Sequence, residues 1–180
     1  MKGFTLLEIL VSIAIFMIAI GAITSIFISG IILQRRVLAE QEIFNQVSYA
    51  LEYMGRAIRM AKKDDISIGG VAKNCLGGDK INYETSGTQN ELKFRNYKHQ
   101  CQRFFLQNNQ IYEEKYDPNP RSYPLTSPSL RVTSLRFNVS GERQEDNLQP
   151  KITIFLEIER MGRRFQFQTT ISQRDLDVQY

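Results

Sequence analysis

The first proline of this 180-residue chain stands at position 118, and only five occur in all. Nothing before Pro118 therefore breaks a helix by removing an amide donor. Ionisable residues are missing from Ile9 through Gln34, so that stretch carries no side-chain charge. Histidine occurs once, at His99 in "YKHQC", and no Ser/His/Asp set, zinc-ligand spacing or phosphate loop is present. Enzyme chemistry, a resident metal and a cofactor thus find no support. No Lys/Arg run exceeds two residues, so the net charge of +4 reads as an ordinary solvated surface. The acidic stretch "GERQEDN" (Gly141–Asn147) lacks the alternating oxygens of a calcium loop and reads as a solvated turn.

What is present is one long apolar run. Phe4 to Leu33 would form a helix about 45 Å long, ample for a hydrocarbon core of about 30 Å. A cleaved secretory signal is the competing reading, with "AIGA" (Ala19–Ala22) as its small-residue site. Glu8 inside the apolar core, and the strong apolarity resuming at Ile23, favour a single retained span. Lys2 on one side and Arg35–Arg36 on the other leave its orientation tied by charge. Beyond the span, Val37, Phe44, Val47, Leu51, Met54, Ile58 and Ala61 recur mostly at three- or four-residue spacing, an amphipathic continuation of the same helix to about Ala61.

The remainder reads as β. "IGGVAKNCLGGDK" (Ile68–Lys80) is loop, and "QRFFLQNNQIYEEKY" is a hairpin turning at Asn108–Asn109. "DPNPRSYPLTSPS" (Asp117–Ser129), with four prolines, is an irregular connector or exposed loop. Leu135–Phe137–Val139, Ile152–Ile154–Leu156–Ile158 and Phe165–Phe167–Thr169–Ile171 alternate with polar residues, and the last two join through Met161–Gly162. One-sided strands need a cover, and the helix's second half carries the unclaimed apolar stripe. The expected fold is α+β: a long N-terminal helix, half membrane and half amphipathic, packed by an antiparallel β-sheet in a ladle shape.

Glu8 poses the functional question, because an acid at membrane depth costs several kcal/mol unless paired. A cut between Gly3 and Phe4 would create an ammonium one helical turn before it. "GFTLLE" followed by an apolar helix resembles the processing and methylation motif of type IV pilins and type II secretion pseudopilins. The resemblance implies cleavage by prepilin peptidase after Gly3, N-methylation of Phe4, and Glu8 as the assembly carboxylate that attracts a neighbour's amine. It further implies residues 1–3 as leader, 4–33 as transmembrane and filament-core helix, and 34–180 as an exported pilin-like domain. The implied partners are the peptidase, other pilin or pseudopilin subunits and an inner-membrane assembly platform. The chain would sit single-pass in the inner membrane, N-terminus cytoplasmic and soluble domain periplasmic or extracellular.

A three-residue leader is short for that family, and Ser25 stands where major pilins commonly carry proline. The missing proline at Ser25, with Phe16, "ALEYMGRAIRMA" and "FQFQTTISQRDLD", resembles J-type minor pseudopilins and W-type minor pilins. The expected role is a minor subunit in fibre initiation or tip assembly and protein secretion. Gly21, Ser25 and Ser29, four residues apart, are either a helix-packing stripe or chance in a tolerant span. Cys75 and Cys101 form a disulfide in an exported domain, or are two free buried thiols. The alternative function is a competence-type minor pilin that takes up DNA, for which "KFRNYKHQCQRFF" (Lys93–Phe105) is the nearest basic-aromatic stretch.

Overall fold

The computed structural model describes residues 3–63, 75–77, 80–117, 119–143, 146, 148–160 and 162–174. The leader positions 1–2 and most of the glycine-rich loop at 68–80 lie outside them. One helix, α1 (Leu6–Arg59), runs 54 residues without a kink-forming proline. Arg56 and Arg59 in its last turn oppose the negative end of the helix dipole. The chain divides into two units, Met1–Asn45 and Gln46–Tyr180.

In the first unit every side chain from Gly3 to Leu38 is exposed. The hydroxyls of Ser12, Thr24 and Ser29 donate to carbonyls one turn back, at Glu8, Ile20 and Ser25. They therefore need no water, which suits a helix meant for an apolar medium.

In the second unit α1 buries Val47, Ala50, Met54 and Ile58, with Ala61 just past its end. The spacing of three and four keeps these side chains on one stripe. The expected stripe is corrected at its start: Val37 and Phe44 are 43% and 49% exposed, and Ala50 is buried where Leu51 is only partly so. The phase drifts because the apolar residues at 37 and 44 keep a seven-residue period, whereas a straight helix turns every 3.6.

The strands form two antiparallel meanders. The first sheet runs β1 (Tyr83–Thr85), β2 (Glu91–Arg95), β3 (Cys101–Gln107), β4 (Gln110–Asp117) and β5 (Asn119–Pro124), in that spatial order. The second runs β6 (Arg131–Ser140), β7 (Lys151–Arg160) and β8 (Arg163–Ser172). This is the α+β architecture expected, a long N-terminal helix packed on antiparallel strands. Asn108 and Asn109, at φ of 50° and 59°, make the two-residue turn between β3 and β4. Gly162, at φ of 72°, opens β8 after its turn from β7.

Two details differ from the sequence expectation. Asn119–Pro124 is a strand, not an irregular loop, with all six residues exposed. As an edge strand β5 tolerates Pro120 and Pro124, whose missing amides cost nothing where no neighbour follows. In β6, a register shift between Val132 and Ser134 lets Val132 join Leu135 and Phe137 in the core despite the odd spacing. Leu92, Phe94, Phe104 and Ile111 from the first sheet, with Ile152, Ile154, Leu156 and Ile158 from the second, complete that core.

Candidate functional site

The site begins at the helix start. The Thr5 carbonyl accepts from the amides of Glu8 and Ile9 at 3.1 and 3.3 Å, and the Thr5 hydroxyl accepts from the Glu8 amide at 3.4 Å. Thr5 is thus the N-cap, and Glu8 stands at the third helical position, the spacing of a capping box. A negative side chain there also suits the positive end of the helix dipole. The Glu8 side chain is exposed, and no ion pair engages it among the described residues. Local helix chemistry alone therefore accounts for an acid at position 8; it does not account for 26 uncharged residues after it (positions 9 to 34).

Gly3 and Phe4 precede the helix, with Phe4 77% exposed. Gly21, Ser25 and Ser29 lie along one line of α1, and a Cβ built on Gly21 meets nothing within 4 Å. The stripe is open to close approach by another helix. In the second unit, Cys75 and Cys101 are joined as a disulfide with Cα atoms 5.4 Å apart. It ties residues just before β1 to the start of β3.

The basic-aromatic stretch from Lys93 to Phe105 runs from β2 through its turn into β3, and three of its cations are engaged within the fold, while Lys98 is exposed beside the Tyr97 ring. Arg103 grips Glu114 through two nitrogens at 2.9 and 3.0 Å and Glu91 at 3.0 Å. Lys93 lies 3.7 Å from Glu91, and Arg95 is buried, donating to the His99 carbonyl. A groove that tracks a phosphate backbone needs cations that are not spent this way. Among the described residues no group of three His, Cys, Asp or Glu side chains is placed to hold a metal ion.

Sequence reasoning missed a buried polar cluster. Glu113, 4% exposed, accepts from the Tyr53 hydroxyl at 2.9 Å and from Gln102 Nε2 at 2.6 Å, and pairs with Lys115 Nζ at 3.0 Å. Burial raises the Tyr53 pKa above its ordinary value. Desolvation would lower the Lys115 pKa, but hydrogen bonds to Tyr53 and Glu113 outweigh it and leave it raised. The signal was in "QIYEEKY": Glu113 and Lys115 share the parity of the buried Ile111.

Against known proteins, residues 1–24 match the family model described as the prokaryotic N-terminal methylation motif. No curated protein matches the chain. The matched motif supports the type IV pilin and pseudopilin family, and with it processing by prepilin peptidase and assembly with other pilin subunits. An exposed apolar helix long enough to cross a membrane, whose first part lies within that motif, fits a single-pass inner-membrane anchor.

Proposed function

We propose that the chain is a minor subunit of a type IV pilus-like filament or type II secretion pseudopilus, acting in fibre initiation or tip assembly. One observation carries the reading: the methylation motif takes in the start of a helix whose surface, from Leu6 to Leu33, is entirely exposed. An all-round apolar surface has two uses, lipid contact and contact with other such helices. A filament subunit needs both in turn.

On this reading, prepilin peptidase cuts between Gly3 and Phe4 and methylates the Phe4 amine. That amine then lies one turn before Glu8, and the opposite charges neutralise each other within a subunit or between neighbours. The N-terminus faces the cytoplasm, and residues 34–180 lie in the periplasm or in the fibre. Gly21, Ser25 and Ser29 give the close-approach face. The oxidising compartment keeps Cys75–Cys101 joined. Ser25 in place of a helix-loosening proline supports the minor-subunit assignment, as does the likeness to J-type and W-type subunits. DNA uptake is the weaker reading, because Arg103, Lys93 and Arg95 are already engaged within the fold.

The test is the mature N-terminus, read by intact mass and sequencing with and without a co-expressed prepilin peptidase. A chain starting at Phe4 and one methyl group heavier is expected. Persistence of residues 1–3 beside an active peptidase, even from a longer start, would overturn the reading.

A further inference from the structure

One unbroken helix carries Glu8 near its start and the adjacent arginines Arg35 and Arg36 further on. At 1.5 Å per residue Glu8 and Arg35 stand about 40 Å apart along its axis. A hydrocarbon core is about 30 Å thick, or about 40–45 Å with its headgroup layers. Upright, α1 thus reaches both headgroup layers at once, Glu8 in one and the arginines in the other. A shift along the membrane normal of more than about one helical turn draws one charged end into hydrocarbon. Between those ends no ionisable group fixes the depth, and Ser12, Thr24 and Ser29 spend their hydroxyls on carbonyls one turn back.

The two ends differ in what they can hold. The Glu8 carboxylate repels a lipid phosphate, whereas neighbouring guanidiniums attract one, each able to grip two of its oxygens. Arg35 and Arg36 are both exposed, and neither makes an ion pair or a side-chain hydrogen bond among the described residues. Their donors are therefore unspent at the level where the phosphates lie. A zwitterionic lipid sets its own ammonium beside the phosphate and offsets the attraction; an anionic lipid does not.

We propose that Arg35 and Arg36 bind the phosphate groups of anionic lipid headgroups, and that this contact sets the depth of α1 so that Glu8 stays in the opposite headgroup layer, within reach of water. The placement rests on the single span read above and holds for either orientation. Glu8 then needs no partner while α1 is in lipid. On the filament-subunit reading, it loses water only when α1 leaves the bilayer to pack on other helices, which also strips the phosphates from the arginines. The contact thus holds a subunit in the membrane until neighbouring helices offer more.

The experiment places the full chain in vesicles of phosphatidylcholine and phosphatidylglycerol in equal parts, then releases it in mild detergent for native mass spectrometry. Retention of phosphatidylglycerol over phosphatidylcholine is expected. R35Q/R36Q lowers that retention about tenfold or more. R121Q/R136Q, which removes the same charge from exposed positions on β5 and β6, leaves it unchanged. In the vesicles Glu8 is expected to react with a water-soluble carbodiimide, located by peptide mass mapping. Equal retention of the two lipids, or an equal fall in R121Q/R136Q, overturns the proposal. So does displacement of phosphatidylglycerol by inorganic phosphate in solution, which assigns the arginines to a free anion. Glu8 left unlabelled in inserted chains overturns the placement. Resistance to alkaline extraction is scored separately for each chain. A parent chain that fails it defeats the single span and the lipid contact together, whereas an inserted chain without lipid preference defeats the lipid contact alone.

Discussion

The Tyr53 hydroxyl lies 2.9 Å from both carboxylate oxygens of Glu113, a residue 60 positions away in the chain. That contact fastens the second half of α1 to the middle of the first sheet, with Lys115 and Gln102 completing the shell around the carboxylate. Whatever surface the strands present is held to the helix partly through this point.

Tyr53→Phe is expected to cost about 1–2 kcal/mol, since a hydrogen bond to a buried charge is lost while two partners remain. Tyr49→Phe, one turn away and 62% exposed, should cost under about 0.5 kcal/mol. Thermal unfolding in detergent reads both. Because burial raises the Tyr53 pKa, its contribution is complete below its ordinary value of 10.0 and is lost as pH climbs past the raised one. The Phe variant lacks that alkaline limb, and the limb from Lys115 weakens with it, because the Tyr53 hydroxyl supplies one of the hydrogen bonds that raise the Lys115 pKa.

Acid should act on the other face of the sheet. Desolvation would raise the Glu114 pKa, but hydrogen bonds from Arg103, Tyr116 and Ser122 outweigh it and hold it below the ordinary 4.5. Its stabilisation is therefore present above that value and is lost as pH falls through the depressed one. Urea midpoints taken from about pH 5 down to about pH 2 should decline less in Glu114→Gln than in the parent chain.

Glu8→Gln separates two roles for one residue. Glutamine serves a capping box as well as glutamate does, so the helix start is preserved while the charge is removed. With the peptidase present, cleavage at Phe4 is expected to continue while incorporation into fibres drops at least about tenfold. Incorporation equal to the parent's would reduce Glu8 to a helix-capping residue.

The disulfide closes a loop with a sequence separation of 26. Cys75→Ser with Cys101→Ser should cost about 3–4 kcal/mol by loop-closure entropy. A reductant should lower the melting temperature of the parent chain and leave the double variant unchanged.

Two glycines should respond oppositely to alanine. Gly55 lies inside α1, one turn before its end, and an added Cβ meets Ile171 Cδ1 at 3.5 Å, an ordinary contact. Gly55→Ala is expected to stabilise by about 0.5–1 kcal/mol through helix propensity. Gly141 sits at φ of 68° with carbonyls of Leu148 and Gln149 3.1 Å from the same atom. Gly141→Ala should destabilise by at least about 1 kcal/mol. The melting temperatures of the two variants decide both.

Local chemistry determined everything that needs only neighbours in the chain. The charge-free run behind "GFTLLE", the absence of proline before Pro118, the Asn108–Asn109 turn and the period-two strands were all legible, because helix and hairpin formation answer to residues a few positions apart. What the sequence left open depends on contacts between distant segments. That Ala50 faces the core while Leu51 is only partly buried is decided by how the Gln46–Arg59 stretch of the helix packs on the strands. The prolines at 120 and 124 read as loop until β4 is beside them to make an edge strand. The pairing of Tyr53 with Glu113, and the division of the described strands into two sheets, follow from packing alone. Parity in "QIYEEKY" marks Glu113 as inward-facing, but it does not name a hydrogen-bond partner 60 residues away, which only the folded chain reveals.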